Sequence, residues 1–480
     1  MENDVKLTAP TKKELRYAGE PDFSTLNECQ MQAMEQMQAF SQSESTMFLL
    51  QGYAGSGKTY LISKFIEWYL SVFKSHRVAM TAPTNKAVRV LYKSADYKHS
   101  SLSYKTCHKL LGLKEQIDDD GKQIFVVDSM IVPDIDLYKF LVVDEASMLG
   151  DELFELFLFH ANLKGLKILF VGDSNQIPPI GKNLALPFDL ETQESYSIAS
   201  STLSTIVRQA EGNPIIEVAT SVRSRLTKHT AILTRENKVT DNSSVLFLDT
   251  WEKADKAKLI ELINEWFTGW QFEADSDYCK IVAWRNKTVD SYNTYIRKLL
   301  FGENIPKISI GEKLFANTPI VEEEEVLFTT NEEFEVTSYS IEDFVINNGD
   351  YVLKYYKTNV KCERGGEYVL ETIKILHEDS QATFTKILDY LTQTAKSLKR
   401  GSTQARETWK QFYTFKNTFA SINYNYAISA HRSQGSTYVN CIIIESDLDA
   451  NRKVAERNKI KYTAVTRPKN NLVIVRTEAK

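Results

Sequence analysis

The sequence predicts an α/β chain of two parallel-sheet lobes, the first interrupted by an inserted β-hairpin and the second by a small β-barrel with a helical extension. Three observations predict it. Short apolar runs without polar alternation, Thr46–Gln51, Arg77–Ala82, Phe140–Val143 and Lys167–Gly172, read as buried parallel strands that end in small or polar residues. A second series, 280–284, Tyr438–Glu445 and Leu472–Val475, recurs far downstream. Between the two series residues 301–417 break the pattern: strand-like runs (Glu325–Phe328, Phe334–Thr337, Tyr351–Tyr356, Tyr368–Leu376) precede helical stretches at 382–399 and 403–419 that are rich in lysine and aromatics.

The lobes are then expected at 23–111 with 135–187 and at 188–300 with 418–480, with the hairpin at 112–134 and a loosely held polar arm at 1–22. A chain of 480 residues exceeds one core, and 42% hydrophobic residues suffice for several. No run approaches a membrane span and the first residues lack a secretory pattern, so a cytoplasmic location is expected. Five cysteines without a Cys-x-x-Cys pair argue against a disulfide framework or a zinc site. A net charge of -5 does not advertise nucleic-acid binding over the whole surface, though a groove can still be locally basic. The acid of Glu322–Glu325 and Glu332–Glu333 reads as solvated loop or edge-strand charge.

Taken in order, Leu26–Ala33 opens an amphipathic helix whose Gln30 has an amide able to pair with an adenine edge. The next stretch, Gly52–Thr59, fits G-x-x-x-x-G-K-[ST] at every fixed position, with a strand before it and helical spacing after it. Glycines let backbone N–H groups turn around phosphate oxygens, a lysine supplies a point charge and a threonine hydroxyl suits magnesium. Gly52, Gly55, Ser56, Gly57, Lys58, Thr59 and Tyr60 are therefore candidates for ATP, and Thr59 for Mg2+.

The strand Arg77–Ala82 ends in Pro83, Thr84 and Asn85, a ligand-facing place in an open sheet. His108 comes next, on a short helix; a lone histidine is more often structural, and a phosphate contact is the most it suggests. Asp118–Lys122 is a turn between two strand-like runs, and Phe125 on that hairpin either packs at its base or stacks on bases. Phe140–Met148 is an apolar strand ending in Asp144 and Glu145, a Walker B pattern with one carboxylate for magnesium and one for the attacking water. A further strand delivers Asp173–Gly181, where Gln176 is placed to feel a γ-phosphate and Pro178 and Pro179 stiffen the loop beyond it.

Together, Gly52–Thr59, Thr81–Thr84, Asp144–Glu145 and Gly172–Pro179 resemble, in order, the leading motifs of superfamily 1 helicases. The trailing motifs are similar too: Thr205–Gln209, Lys280–Asn286, Tyr426–Ser436 and Tyr462–Arg467. Asn347–Asp350 and His431–Gly435 most resemble the Dda-like and RecD-like branch, which moves 5′ to 3′ on single-stranded DNA. The resemblance implies two RecA-like P-loop NTPase lobes and an SH3-like barrel at 301–417. It implies catalytic roles for Lys58, Asp144, Glu145 and Gln176, with Arg208 and Arg467 reaching from the second lobe, and a nucleotide contact at Gly435. It also implies a strand path over Pro83, Thr84, Asn85, His108, Phe125, Asn347, His431, Ser433 and Thr437. Single-stranded and forked duplex DNA are the implied partners, with a single-strand-binding protein and replication or recombination factors beyond them, and a monomer as the working unit. Trp284 and Arg285 depart from the small residues expected at their strand end. A translocase that strips proteins from single strands, or a nucleotide switch that moves along nothing, are the rival readings.

Overall fold

The computed structural model describes residues 21–95, 99–117, 123–127, 132–206, 212–229, 232, 235–322, 325–346, 351–364, 367–399 and 401–477. The arm expected over 1–22 lies almost wholly outside them, as do Asn347 and Arg208.

Along the first lobe run β1 (Met47–Gly52), β2 (Val78–Ala82), β3 (Leu102–Thr106), the hairpin strands β4 (Leu113–Ile117) and β5 (Gln123–Val127), then β6 (Phe140–Val143), β7 (Lys167–Gly172) and β8 (Ala199–Leu203). All but the hairpin form one six-stranded parallel sheet in the order β3-β2-β6-β7-β1-β8. Its central strands β1, β2, β6 and β7 are mostly apolar because both faces are covered: Phe48 and Leu50 enter one core with Phe65 and Phe140, while Met47 and Leu49 enter another with Phe154 and Phe170. Helix α1 (Glu28–Gln42) is started by an Asn27–Gln30 capping box, and α2 (Lys58–Val72) leads directly out of the glycine loop. Thr84 caps α3 (Asn85–Ser94), and α4 (Cys107–Leu110) is one short turn. The hairpin β4–β5 is antiparallel, and its turn lies outside the described residues.

The second lobe opens with β9 (Lys238–Val239), β10 (Ser244–Asp249) and β11 (Cys279–Ala283). The inserted unit contributes β12 (Lys313–Ala316), β13 (Ile320–Glu322), β14 (Glu325–Phe328), β15 (Glu333–Ile346), β16 (Tyr351–Arg364), β17 (Glu367–Leu376) and β18 (Ile422–Tyr424). Then β19 (Ala427–Ser429), β20 (Tyr438–Ile444) and β21 (Pro468–Arg476) complete the lobe, whose sheet order is β19-β11-β20-β21-β10-β9. In the insertion the sheet runs β17-β16-β15-β12-β18, and the backbone bond from Ala420 N to Lys374 O (2.6 Å) draws its two edges together. Leu314, Phe334, Val336, Tyr356 and Ile375 fill the resulting core, and the helices Gln381–Ser397 and Thr403–Lys416 project as a hairpin.

Two expected boundaries move. Residues 199–203 pair in parallel with β1, Phe48 opposite Ala199, so the first lobe runs past 187. That edge strand, Ala-Ser-Ser-Thr-Leu, carries little apolar signal because half of it faces solvent. Likewise β18 pairs with β12, so the insertion continues past 417 to Tyr424. The five cysteines are free thiols, and among the described residues no helix is long and apolar enough to cross a membrane.

Candidate nucleotide and nucleic-acid site

The glycine loop leaves β1 and enters α2 through two left-handed residues, Gly55 (φ 82°) and Gly57 (φ 80°), a conformation that side chains resist. Gly52 is fixed by space instead, since a Cβ there would stand 2.6 Å from Ser56 Oγ and 2.9 Å from Leu203 Cβ. Lys58 Nζ donates to Gly52 O (2.7 Å) and Tyr53 O (3.1 Å), which centres its charge over the loop. Gln30 is buried beside this loop, where its Nε2 donates to Ser56 O (3.2 Å) and its Oε1 accepts from Asn27 N (3.1 Å). Its amide thus tethers the loop to α1, a job the sequence did not suggest beside the adenine contact. Tyr60 shares a hydrogen bond of 2.6 Å with Thr25, and Thr59 is half-buried at the start of α2.

Adjacent strands bring the acidic groups to the same sheet end. β6 delivers Asp144 and then Glu145, which takes a left-handed φ of 51°. Burial, and next the neighbouring Glu145 charge, push Asp144 up to about 7, against the pull of the Glu145 N–H and of Lys58. β7 delivers Asp173, which accepts from Ala54 N in the glycine loop (3.2 Å), and Gln176, which is 4% exposed. Ser56 Oγ and Gln176 Oε1 are buried without a hydrogen-bond partner among the described residues, as expected of groups built to meet a ligand. Lys58, Asp144, Glu145 and Gln176 therefore lie on the ends of β1, β6 and β7, which are neighbours in the sheet.

The donor set fits a magnesium nucleotide. Thr59 and Asp144 are hard oxygen donors, and a divalent cation beside Asp144 would offset the crowding of two carboxylates. Among the described residues no cluster of three or more His, Cys, Asp or Glu could hold a metal by itself.

The second lobe closes over this end of the sheet. Tyr462 OH donates to Asp173 Oδ2 (2.8 Å) and accepts from Ala54 N (3.3 Å). Thr463 Oγ1 accepts from Ile177 N (3.2 Å), Gln434 Nε2 donates to Ile177 O (2.9 Å), and Lys459 Nζ donates to Ser174 O (3.0 Å). Gly435, at φ 69°, comes so near that a Cβ would stand 2.9 Å from Ala87 Cβ and 3.6 Å from Glu145 Cγ. Arg223, at the end of the helix Pro214–Arg223, lies 3.6 Å from the ring centroid of Tyr53.

Arg467 does not cross between the lobes here. It is 5% exposed and donates to Thr463 O (2.8 Å), Ser436 O (3.0 Å) and Ser433 O (3.4 Å), all on its own lobe. Three carbonyl partners hold the guanidinium as a brace for the turn 433–436. Arg223 and Tyr462 do the reaching instead, onto Tyr53 and Asp173. Asp173 and Tyr462 sit inside motifs visible in the sequence, whereas Arg223 had no local signal.

The strand-path candidates separate into two groups. Pro83, Thr84 and Asn85 stand together where β2 gives way to α3; Thr84 Oγ1 caps the helix at Ala87 N (3.2 Å), and Asn85 donates to Thr329 of the insertion. His108 meets Phe125 with ring centroids 4.3 Å apart, and burial lowers the His108 pKa. Phe125 keeps 44% of its surface exposed on β5. Across the gap, His431 and Thr437 are half-buried, with burial lowering the His431 pKa. Ser433 departs from expectation: it is 0% exposed and its hydroxyl donates to Ala430 O (2.7 Å), so it shapes the turn and faces no strand. Trp284 and Arg285 have structural partners: Trp284 packs against the second-lobe core, and Arg285 Nε donates to Asp447 Oδ1 (2.6 Å), whose Oδ2 accepts both backbone N–H groups (2.7 and 2.8 Å) at the start of the next helix.

A glycine loop, an acidic strand end and a second parallel-sheet lobe closed over both define a two-lobed P-loop ATPase architecture. Residues 25–244 match the AAA domain family, and residues 424–475 match the UvrD-like helicase C-terminal domain family. The chain is thus related to the superfamily 1 helicases. It is 24% identical to an uncharacterized protein of Acanthamoeba polyphaga mimivirus, over 92% of this chain and 98% of that one. It is 25% identical to the ATP-dependent DNA helicase dda of Enterobacteria phage T4, over 86% of this chain and 91% of that one. The crystal structure of Pif1 helicase from Candida albicans is similar at a TM-score of 0.49 and 14% identity, over 94% of each chain.

Proposed function

We propose that the chain is an ATP-dependent DNA helicase that moves 5′ to 3′ along single-stranded DNA and couples hydrolysis to closure of its two lobes. The observation that carries this reading is the position of the nucleotide residues: Lys58, Asp144, Glu145 and Gln176 lie on one lobe directly under Tyr462, Gly435 and Arg223 of the other. Hydrolysis at such a seam is sensed by both lobes, which a simple binding switch does not require. In this reading the loop Gly52–Thr59 holds the phosphates, Thr59 and Asp144 hold magnesium, which would polarise the γ-phosphate, and Glu145 takes the proton of the attacking water. Arg208 and Arg467 complete the charge at the seam when the lobes shift, Arg467 by leaving the turn it braces. The loop Pro83–Asn85 and the residues His431 and Thr437 grip a single strand mainly through its backbone, and the hairpin with Phe125 splits the duplex. The phage dda relative, itself an ATP-dependent DNA helicase, supports the assignment, and the direction rests on the motif resemblance of His431–Gly435.

The test is ATP hydrolysis by wild type and Glu145→Gln, with and without single-stranded DNA, and then unwinding of duplexes with a 5′ or a 3′ overhang. DNA-stimulated turnover that the substitution abolishes, with unwinding from the 5′ overhang alone, is the expected result. Stimulation without unwinding would turn the assignment to a translocase, and no response to any nucleic acid would sink the motor.

A further inference from the structure

Helix α3 starts at the strand-end loop, and charges from outside its lobe clamp its polar face. Lys86 Nζ donates to Glu333 Oε1 (2.9 Å) and Asp277 Oδ1 (3.2 Å), and Arg89 Nη2 donates to Glu333 Oε2 (2.7 Å) with Asp277 Oδ2 3.7 Å away. One turn on, Lys93 pairs with Glu363 at 3.0 Å. The spacing of 86, 89 and 93 places all three cations on one helix face. Glu333 begins β15 of the insertion and Asp277 precedes β11 of the second lobe, so three bodies meet at one ionic node. Asn425 Nδ2 adds a further bond to Glu333 Oε1 (3.1 Å). The node is well shielded: the Lys86 and Glu333 side chains are 11% and 14% exposed. Glu333 is therefore not the solvated charge its sequence suggested.

Exposed ion pairs contribute little, but breaking a shielded one strands its partner's charge. Removing Glu333 would leave Asp277 as the one carboxylate beside Lys86 and Arg89, with the Tyr438 hydroxyl 3.4 Å from Lys86 Nζ, and α3 would lose the shielded part of its tie to the insertion, keeping the exposed Lys93–Glu363 pair and the Asn85–Thr329 bond. The loop Pro83–Asn85 is joined to α3 without a break, so its position relative to His431 and Thr437 depends on that tie. None of the nucleotide residues belongs to the node.

We propose that Lys86 and Glu333 are positioning residues for the strand path, holding its first-lobe half in register with its second-lobe half. The inference rests on the helicase reading. When the node is made the two halves form one surface, and when it breaks the grip on a single strand weakens while the hydrolytic residues keep their places.

The test compares wild type, Glu333→Gln and Glu333→Asp, using a fluorescent oligo-dT strand for binding and steady-state ATPase titrated with the same oligonucleotide. Thermal unfolding first confirms that each variant is folded, and Asp277→Asn replaces Glu333→Gln if that variant is not. The expected result for Glu333→Gln is a rise of about tenfold in both the strand Kd and the half-saturating DNA concentration, with kcat at saturating DNA within about twofold of wild type. Glu333→Asp, which keeps the charge, should recover most of the affinity. Unchanged strand affinity in Glu333→Gln, or a fall in kcat equal to the loss of affinity, would overturn the inference while leaving the helicase reading intact. A wild-type protein that binds no strand would sink both.

Discussion

Arg223 lays its guanidinium 3.6 Å from the ring centroid of Tyr53, joining the second lobe to the start of the glycine loop. A cation on a shielded ring contributes about 2 kcal/mol. Replacing Arg223 with alanine should therefore lower kcat/KM for ATP by about tenfold or more, whereas lysine should recover part of it. Steady-state ATPase assays in saturating single-stranded DNA check this, and equal activity of wild type and Arg223→Ala would remove the arginine from the seam.

Gly435 offers a steric test of lobe closure. With φ at 69° and Ala87 Cβ 2.9 Å from where its Cβ would be, an alanine there opposes the close approach of the lobes. Gly435→Ala should fold with a loss of about 1–3 kcal/mol from backbone strain, and lose about tenfold or more in DNA-stimulated turnover. Combining it with Ala87→Gly removes the facing methyl and should restore part of the turnover; a double variant no better than the single one would locate the damage elsewhere.

Phe125 rests on His108 yet keeps nearly half its surface open. A base stacked on such a ring gains about 1–3 kcal/mol. Phe125→Ala is accordingly expected to unwind forked DNA about tenfold more slowly while its DNA-stimulated ATPase stays close to wild type. Unwinding at the normal rate would show that the hairpin is no wedge.

Lys280 is fully buried, and burial pushes its ammonium down to about 8 from 10.5, helped by Lys86 and opposed by Asp277 and Glu333. The folded chain then binds fewer protons than the unfolded one between these values, so this residue raises stability as pH climbs through that window and withdraws the gain as pH falls through 8. Urea unfolding of wild type and Lys280→Met at a series of pH values from 7.5 upward is the check. Wild type should gain on the variant with rising pH; a constant gap would mean that Lys280 titrates normally.

Much of this architecture was legible because parallel strands covered on both faces must be apolar throughout, as in β1, β6 and β7, and because each ends where its motif begins. Legibility failed where burial was partial or the partner was remote. The edge strand β8 is built of small and hydroxyl residues, and β18 is three residues long, so neither rises above loop composition. Glu333 looked like surface acid because its partners Lys86 and Arg89 lie more than two hundred positions earlier. Arg223 was passed over because only the docking of two lobes gives it meaning.

The pairing of β12 with β18, Leu314 opposite Tyr424, sets the chain's exit from the second lobe beside its return. The two ends are thus one strand spacing apart, about 4.8 Å, and the span between them is a self-contained annex with a single doorway. Loop-closure entropy grows only slowly with length, so the helical hairpin or the distal ends of β15 and β16 can lengthen or shrink at little thermodynamic expense to the parent sheet. The annex is therefore where such a motor could change its dimensions over generations without rethreading its engine.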